Sequence, residues 1–224
     1  MFVKQQVQDY FLVLCLLMYY PNTMAEPISN NKLVIDDFSN KSLVDWETKS
    51  FEGNTQYQVV KIGDNDVLQA SSQSSASGLF KTIEVDLVKY PYLNWRWRVD
   101  KPLSVFNEME KAGDDYAARL YIIISGGWAF WKTRAINYVW ASQAKVGDSW
   151  PNAFTGENAM MLALRSNTDK TATWFAEKRN LRADLKQLLG KDYLSIDAVA
   201  IMTDTDNTKG SAIAYYDEIF FSRQ

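Results

Sequence analysis

The 224-residue chain has no histidine and a single cysteine, Cys15. Without imidazole there is no Ser-His-Asp triad, no Cys-His pair and no His-x-x-x-His zinc site. One cysteine makes neither an internal disulfide nor a multi-cysteine metal site. No phosphate loop, dinucleotide fingerprint or nucleophile elbow is present. The 24 Lys and Arg against 27 Asp and Glu leave a net charge of −3. That balance carries no basic footprint for nucleic acid. Any acid-base chemistry therefore falls to Asp, Glu, Tyr, Lys or Arg. The apolar fraction of 47% and charged fraction of 23% are those of a globular domain. The length suits one domain or at most two.

Residues 1–25 read as a secretory signal peptide. Lys4 is their only cation, and an apolar run of ten follows from Phe11 to Tyr20. Thr23 and Ala25 then place small residues before Glu26, as a cleavage site requires. The run is shorter than the about 20 residues of a membrane span. An uncleaved anchor is the alternative. Cys15 lies inside the run behind the bulky Leu14, which argues against a lipoprotein acceptor. Cleavage leaves residues 26–224 as a single domain without cysteine and without a membrane span, expected in the periplasm or secreted. A core alone can hold a domain of that size, because about 70% of its surface can be buried.

No internal repeat or Pro/Gly linker divides this region. Its apolar segments are short and β-rich: 33–38, 56–62, 67–70, 78–85, 92–99, 116–125, 135–141, 160–165, 173–179, 196–203 and 212–222. Segments of this length with turn signals between them predict a mainly β fold, an antiparallel β-sandwich of jelly-roll type. One helix interrupts them. Leucines at 181, 185, 188 and 189 have helical spacing, with Asn180 as N-cap and Gly190 as stop. A second short helix or turn is expected over 106–112.

Alternation sorts the strand faces. Over 92–99, Leu93, Trp95, Trp97 and Val99 face one way, and Asn94, Arg96 and Arg98 the other. Over 114–125, Asp115, Ala117, Arg119 and Tyr121 oppose an apolar set of Tyr116, Ala118, Leu120, Ile122 and Ile124. If these strands are neighbours, Arg96, Arg98, Asp115 and Arg119 share one surface. Glu177 and Arg179 alternate with Thr173 and Phe175, and Arg165 ends another strand. The candidate ligand face is thus Arg96, Arg98, Asp115 and Arg119, edged by Glu177, Arg179, Asp204, Asp206 and Asn207. Bidentate Arg–carboxylate pairing could instead close the same residues into a structural network.

Eight tryptophans offer stacking surfaces for sugar rings. Trp128 and Trp131 follow a Gly-Gly pair, and Trp140 and Trp150 border other loops. Core packing is the competing role for each. Asp204, Asp206 and Asn207 are hard oxygen ligands, but the loop lacks an EF-hand's glycine and terminal Glu, so no metal or cofactor is assigned. Asp36, Asp37 and Asp217 come close if the first and last strands pair. Carboxylate pairs drawn from Asp114, Asp115, Glu177, Asp204 and Asp206 could run glycoside hydrolysis. Tyr121 or Tyr138 beside an arginine could serve a lyase.

Four stretches carry a resemblance. Lys111 to Arg119 (KAGDDYAAR), Asn137 to Trp140 (NYVW), Glu177 to Asn180 (EKRN) and Ala200 to Thr208 (AIMTDTDNT) resemble the family called domain of unknown function 3047. The resemblance runs from about Leu33 to Ser222. It implies an exported bacterial protein and assigns no activity. Asp36, Asp37 and Phe38 at the start and Tyr216 to Ile219 at the end resemble galactose-binding-like carbohydrate-binding jelly rolls. That second resemblance implies a calcium near Asp37 and Asp217. The expected function is an exported sandwich that binds a glycan or other anionic ligand. A carbohydrate-active hydrolase or lyase on the same face, or a structural envelope protein, are the alternatives.

Overall fold

The computed structural model describes residues 31–104 and 107–224. The expected signal peptide, with Cys15, lies outside the described residues. Thirteen strands form two sheets. Sheet A has the order β11 (Phe175–Asn180), β6 (Tyr92–Lys101), β13 (Ser211–Ser222), β4 (Asn65–Gln73) and β3 (Gln56–Ile62), with β1 (Lys32–Asp36) also on β13. Sheet B has the order β2 (Glu47–Glu52), β5 (Ala76–Asp86), β12 (Ser195–Asp204), β7 (Arg119–Ile124), β8 (Arg134–Ala141), β10 (Gly156–Ser166) and β9 (Ser149–Asn152). Every pairing is antiparallel except β8 with β10.

The two sheets pack through one contiguous core. Sheet A contributes Trp95, Trp97, Leu68, Ala214 and Tyr216, and sheet B contributes Leu120, Ile122, Tyr138, Trp140 and Ile201. A chain of rings crosses the interface. Trp95 lies 5.2 Å from Tyr138 and 5.4 Å from Trp97, and Trp97 lies 6.1 Å from Trp140. Each such pair is worth about 0.5–1.5 kcal/mol beyond its buried area. Trp140 is therefore core, as is Trp150, which packs with Tyr116 and Met161 on the other side of sheet B. Trp128 and Trp131 remain exposed, at 93% and 58%.

All eleven sequence segments fall on strands. Two strands were not anticipated, β2 and β9. Both are edges of sheet B. An edge strand tolerates the polar composition of β2 and the proline of β9, because one side of its backbone needs no partner. The helix α1 (Leu181–Leu189) forms as expected. The Asn180 side chain accepts from the Ala183 N–H, and Gly190 closes the helix at φ +70°. The expected turn over 106–112 is a single 3₁₀ turn at Lys111–Gly113, and Phe106 lies outside the described residues.

The reading of 114–125 as one alternating strand is corrected. The strand begins only at Arg119. Before it, the Tyr116 N–H donates to Asp204 Oδ1 and the Asp204 N–H donates to the Tyr116 carbonyl. These contacts bend the chain and break its alternation. Tyr116 consequently sits on the Arg119 side of the sheet rather than with Leu120. A bulge at Glu218 (φ 51°) does the same to β13, moving the inward positions from Ala212, Ala214 and Tyr216 to Ile219 and Phe221. No helix among the described residues is long and apolar enough to cross a membrane.

Candidate functional site

A cleft of about 110 Å³ lies on the outer face of sheet B. Alternation places Arg119 and Tyr121 of β7, Ala135 and Asn137 of β8, Ala159 of β10, and Met202 and Asp204 of β12 on that face. Three loops border it. The loop before β7 supplies Asp114, the β9–β10 turn supplies Asn152 and Phe154, and the loop after β12 supplies Asp206 and Asn207. Phe51 of β2 closes another side.

The loops are set by short polar links. The Asn152 side-chain Oδ1 accepts from the Phe154 and Thr155 N–H groups, each at 3.1 Å, which turns β9 into β10. Its amide then donates to Asp114 at 3.2 Å. The Asp115 carboxylate accepts from the Asn207 N–H at 3.1 Å and the Thr208 N–H at 2.7 Å, and from the side chains of both residues. Asp115 is thus a fully buried brace between two loops, not a surface group.

Arg119 is equally committed. Its Nε donates to Asp204 at 2.8 Å, and its Nη2 donates to Asp204 and to the Asp114 carbonyl. Its Nη1 donates to the Tyr121 hydroxyl at 3.0 Å and stands 3.7 Å from the Asp114 carboxylate. The guanidinium also lies 4.2 Å from the Tyr116 ring centroid. Four of the five N–H groups of the fork are thus bonded within the protein.

Burial sets the protonation of the carboxylates. It pushes the Asp114 carboxyl up to about 6, against the Arg119 guanidinium and the Asn152 amide. Asp206 is raised by burial and by the Asp115 charge. Burial raises Asp204 as well, and Arg119 opposes it. The Tyr121 phenol is raised by burial and stays neutral.

Asn137 is the anomaly of the cleft. It is fully buried, yet among the described residues neither its amide nitrogen nor its oxygen meets a hydrogen-bond partner. Buried polar groups are almost always paired, and each unmet one costs about 1–3 kcal/mol. The core indoles of Trp95 and Trp140 each leave one N–H unpaired. Asn137 leaves two donors and an acceptor, and it lines a cavity.

The structure separates the expected face into three places. Asp115, Arg119, Asp204 and Asp206 gather at one end of this cleft. Arg96 and Arg98 do not join them, because β6 belongs to sheet A and β7 to sheet B. On the outer face of sheet A, Arg96 pairs with Asp217 and stacks on Trp174, while Arg98 pairs with Asp100 at 2.5 Å and stacks on Tyr215. Glu177 and Arg179 face the sheet interface at the β11 edge, the side of Trp97 rather than of Arg96. Glu177 accepts from Trp97 Nε1 at 3.0 Å and from Arg165 Nε at 2.6 Å, and Arg179 holds Asp184. Tyr138 donates to the same Asp184 from within the core, and Arg179 and Asp184 line a separate cavity of about 160 Å³ beside α1.

The three carboxylates Asp115, Asp204 and Asp206 bring oxygens within 4.8 Å of one another. Protein donors already occupy Asp115 and Asp204, so the cluster is explained by the loop braces. β1 does pair with β13. The carboxylates there are also taken: Asp36 by Trp46 Nε1 at 2.7 Å, Asp37 by Ser39 in its own turn, and Asp217 by Arg96 and the Glu218 N–H. They do not form a three-carboxylate group among the described residues.

Sequence reasoning passed over Asn137, Asn152, Phe51 and Phe154. Asn137 had a visible trace, a lone amide in the apolar run 135–141. The others come from loops and an edge strand, where no periodicity points.

Comparison with known proteins gives the following. A family model described as protein of unknown function (DUF3047) matches residues 44–220. A family 30 carbohydrate-binding module of the cellulosomal cellulase Cel9D-Cel44B of Clostridium thermocellum superposes with a TM-score of 0.52 at 12% identity, over 86% of this chain and 98% of that one. A family 11 carbohydrate-binding module of the same organism, in complex with a β-1,3-1,4-mixed-linked tetrasaccharide, gives 0.47 at 12% identity over 87% and 97%. The K1 cleaved adhesin domain of Lys-gingipain from Porphyromonas gingivalis gives 0.43 at 12% identity over 86% and 98%. No curated protein matches. The family 30 module shares the β-sandwich fold.

Two measurements test the site. Asn137→Leu removes the unmet amide and is expected to raise the unfolding free energy by about 1–3 kcal/mol in urea melts. A loss of stability would mean that the amide has partners in the free protein. The raised carboxyl of Asp114 holds its proton longer in the folded chain than in the unfolded one. Stability is therefore highest below pH 4 on this account and falls as pH rises towards 6, by about 2–3 kcal/mol. Asp114→Asn should flatten the slope by that amount, leaving the contributions of Asp204 and Asp206, and an unchanged pH profile would refute it.

Proposed function

The chain belongs to the DUF3047 family of proteins of unknown function, and we propose that it is an exported protein that binds a neutral glycan in the cleft on sheet B. The observation that carries this reading is the unpartnered amide of Asn137 on the cleft floor. The shared fold with a carbohydrate-binding module supports it. So does the composition of the cleft, which combines amides and carboxylates with the rings of Phe51, Tyr121 and Phe154. Sugar hydroxyls bind such groups while the ring faces rest on apolar surface.

The pairing of the arginines turns the reading away from an anionic ligand. Arg119 has four of its five N–H groups bonded within the protein, and Asp114, Asp204 and Asp206 surround it. An anion would meet more carboxylates there than the one guanidinium balances. A neutral polyol has no such conflict.

A second reading has its own observation. The Asp114 carboxyl, pushed up to about 6, suits a general acid working near neutral pH. Asp206 then stands as the second carboxylate of a hydrolase pair.

A glycan array probed with the purified protein and with Asn137→Leu tests both readings. Binding to neutral glycans that the substitution abolishes is expected, with uronic-acid polymers bound less well. Release of new reducing ends from the bound glycans would favour the hydrolase. An empty array would leave the structural envelope role. The export of the chain rests on residues 1–25. Expression in a bacterium with an intact secretion system should yield a periplasmic or secreted product beginning at Glu26 by mass spectrometry. A full-length membrane-bound product would show the segment to be an anchor.

A further inference from the structure

The amide of Asn137 presents a donor and an acceptor side by side along one planar edge. Both are unmet, and both belong to a side chain that lines the cleft but is fully buried in the free chain, so a ligand reaches them as the cleft opens over Asn137. A single hydroxyl satisfies one of them at a time. Two hydroxyls on adjacent ring carbons satisfy both, one donating to Oδ1 while its neighbour accepts from Nδ2. We infer that the cleft selects glycans by a pair of adjacent unsubstituted hydroxyls, read by the two atoms of the Asn137 amide. The inference rests on the reading of the cleft as a glycan site and names the part of the sugar that is recognised.

The surroundings of Asn137 fit this role. Its cross-strand partners are Met161 on β10 and Tyr121 on β7, but towards one end of the face the side chains are small: Ala135 on β8 and Ala159, the cross-strand partner of Ala135, on β10. Two residues along a strand span about 7 Å, so the small side chains leave a shallow floor next to the amide on which a ring can lie. Tyr121 stands opposite Asn137 on β7, with its hydroxyl committed to Arg119 and its ring turned to the cleft. Four of the five Arg119 N–H groups are taken by Asp204, the Asp114 carbonyl and Tyr121, and the fifth lies on the Asp114 side of the fork. A nucleobase edge offers a similar donor and acceptor pair. The carboxylates of Asp114, Asp204 and Asp206 stand against the phosphates that a nucleotide would bring.

The bulk of a secondary acetamido group cannot replace the diol. Its N–H and C=O point in opposite directions, so it cannot close on both atoms of one amide edge. This sets the comparison. Every ring of cellohexaose keeps a free 2,3-hydroxyl pair. In chitohexaose, with the same linkage and ring shape, only the non-reducing terminal ring keeps an adjacent free pair. Titration calorimetry of the full chain is expected to show cellohexaose binding at least about six-fold more tightly, the ratio of competent rings. Asn137→Leu should remove binding of both. Asn137→Asp keeps the size and the acceptor but loses the donors, and should lose the preference; it serves if the leucine variant does not fold. Equal binding of the two oligosaccharides, or tighter binding of chitohexaose, overturns the diol inference and leaves the glycan reading standing. If neither binds, the array decides. Hits that all carry adjacent free hydroxyls support the inference, hits without them overturn it, and an empty array overturns the glycan reading as well.

Discussion

The Arg119–Asp204 pair, both residues buried at the ends of adjacent strands β7 and β12, organises one whole end of the sandwich. A guanidinium this far from water is tolerable only when its N–H groups find acceptors. The chain supplies them from three directions: the Asp204 carboxylate, the Asp114 carbonyl and the Tyr121 hydroxyl. Satisfying the charge therefore dictates where the loop before β7 must run. Asp115 then ties that loop to the turn after β12. The rim of the cleft is a by-product of solvating one arginine with protein.

That economy has a functional consequence. The side chain that looks most like an anion-binding group is the least free to bind anything. The groups left over are amides and carboxylates, and one of them, Asn137, is buried without a partner. Electrostatics and hydrogen-bond satisfaction thus point to the same class of ligand, uncharged and rich in hydroxyls. The outer face of sheet A illustrates the opposite case. There Arg96 and Arg98 have carboxylate partners on the same sheet and lie over aromatic rings, an arrangement that is complete within the fold.

The elements were legible in the residues to different depths. Trp95 and Trp97 alternate with Arg96 and Arg98 so strongly that the inward face of β6 follows directly, and the leucines of α1 with Asn180 and Gly190 define that helix at both ends. Tyr116 was misassigned because alternation presumes a continuous strand, and the bonds between Tyr116 and Asp204 interrupt it. The edge strands β2 and β9 escaped because an edge has no need of an apolar pattern. Of the candidate site, Asp115, Arg119, Asp204 and Asp206 do meet, while Arg96, Arg98, Glu177 and Arg179 lie elsewhere.

By itself, the sequence determined the β-rich class, the position of most strands, the one helix, and which side chains share a face within each strand. These are properties of periods of 2 and 3.6 residues, and they are local. Only the tertiary structure decided which strands are neighbours, and so which faces coincide. The connection from β6 to β7 crosses from one sheet to the other, and no local pattern encodes that crossing. The same non-local pairing decided that Arg119 is paired and Asn137 is not, because hydrogen-bond partners 85 residues apart are brought together by packing rather than by spacing.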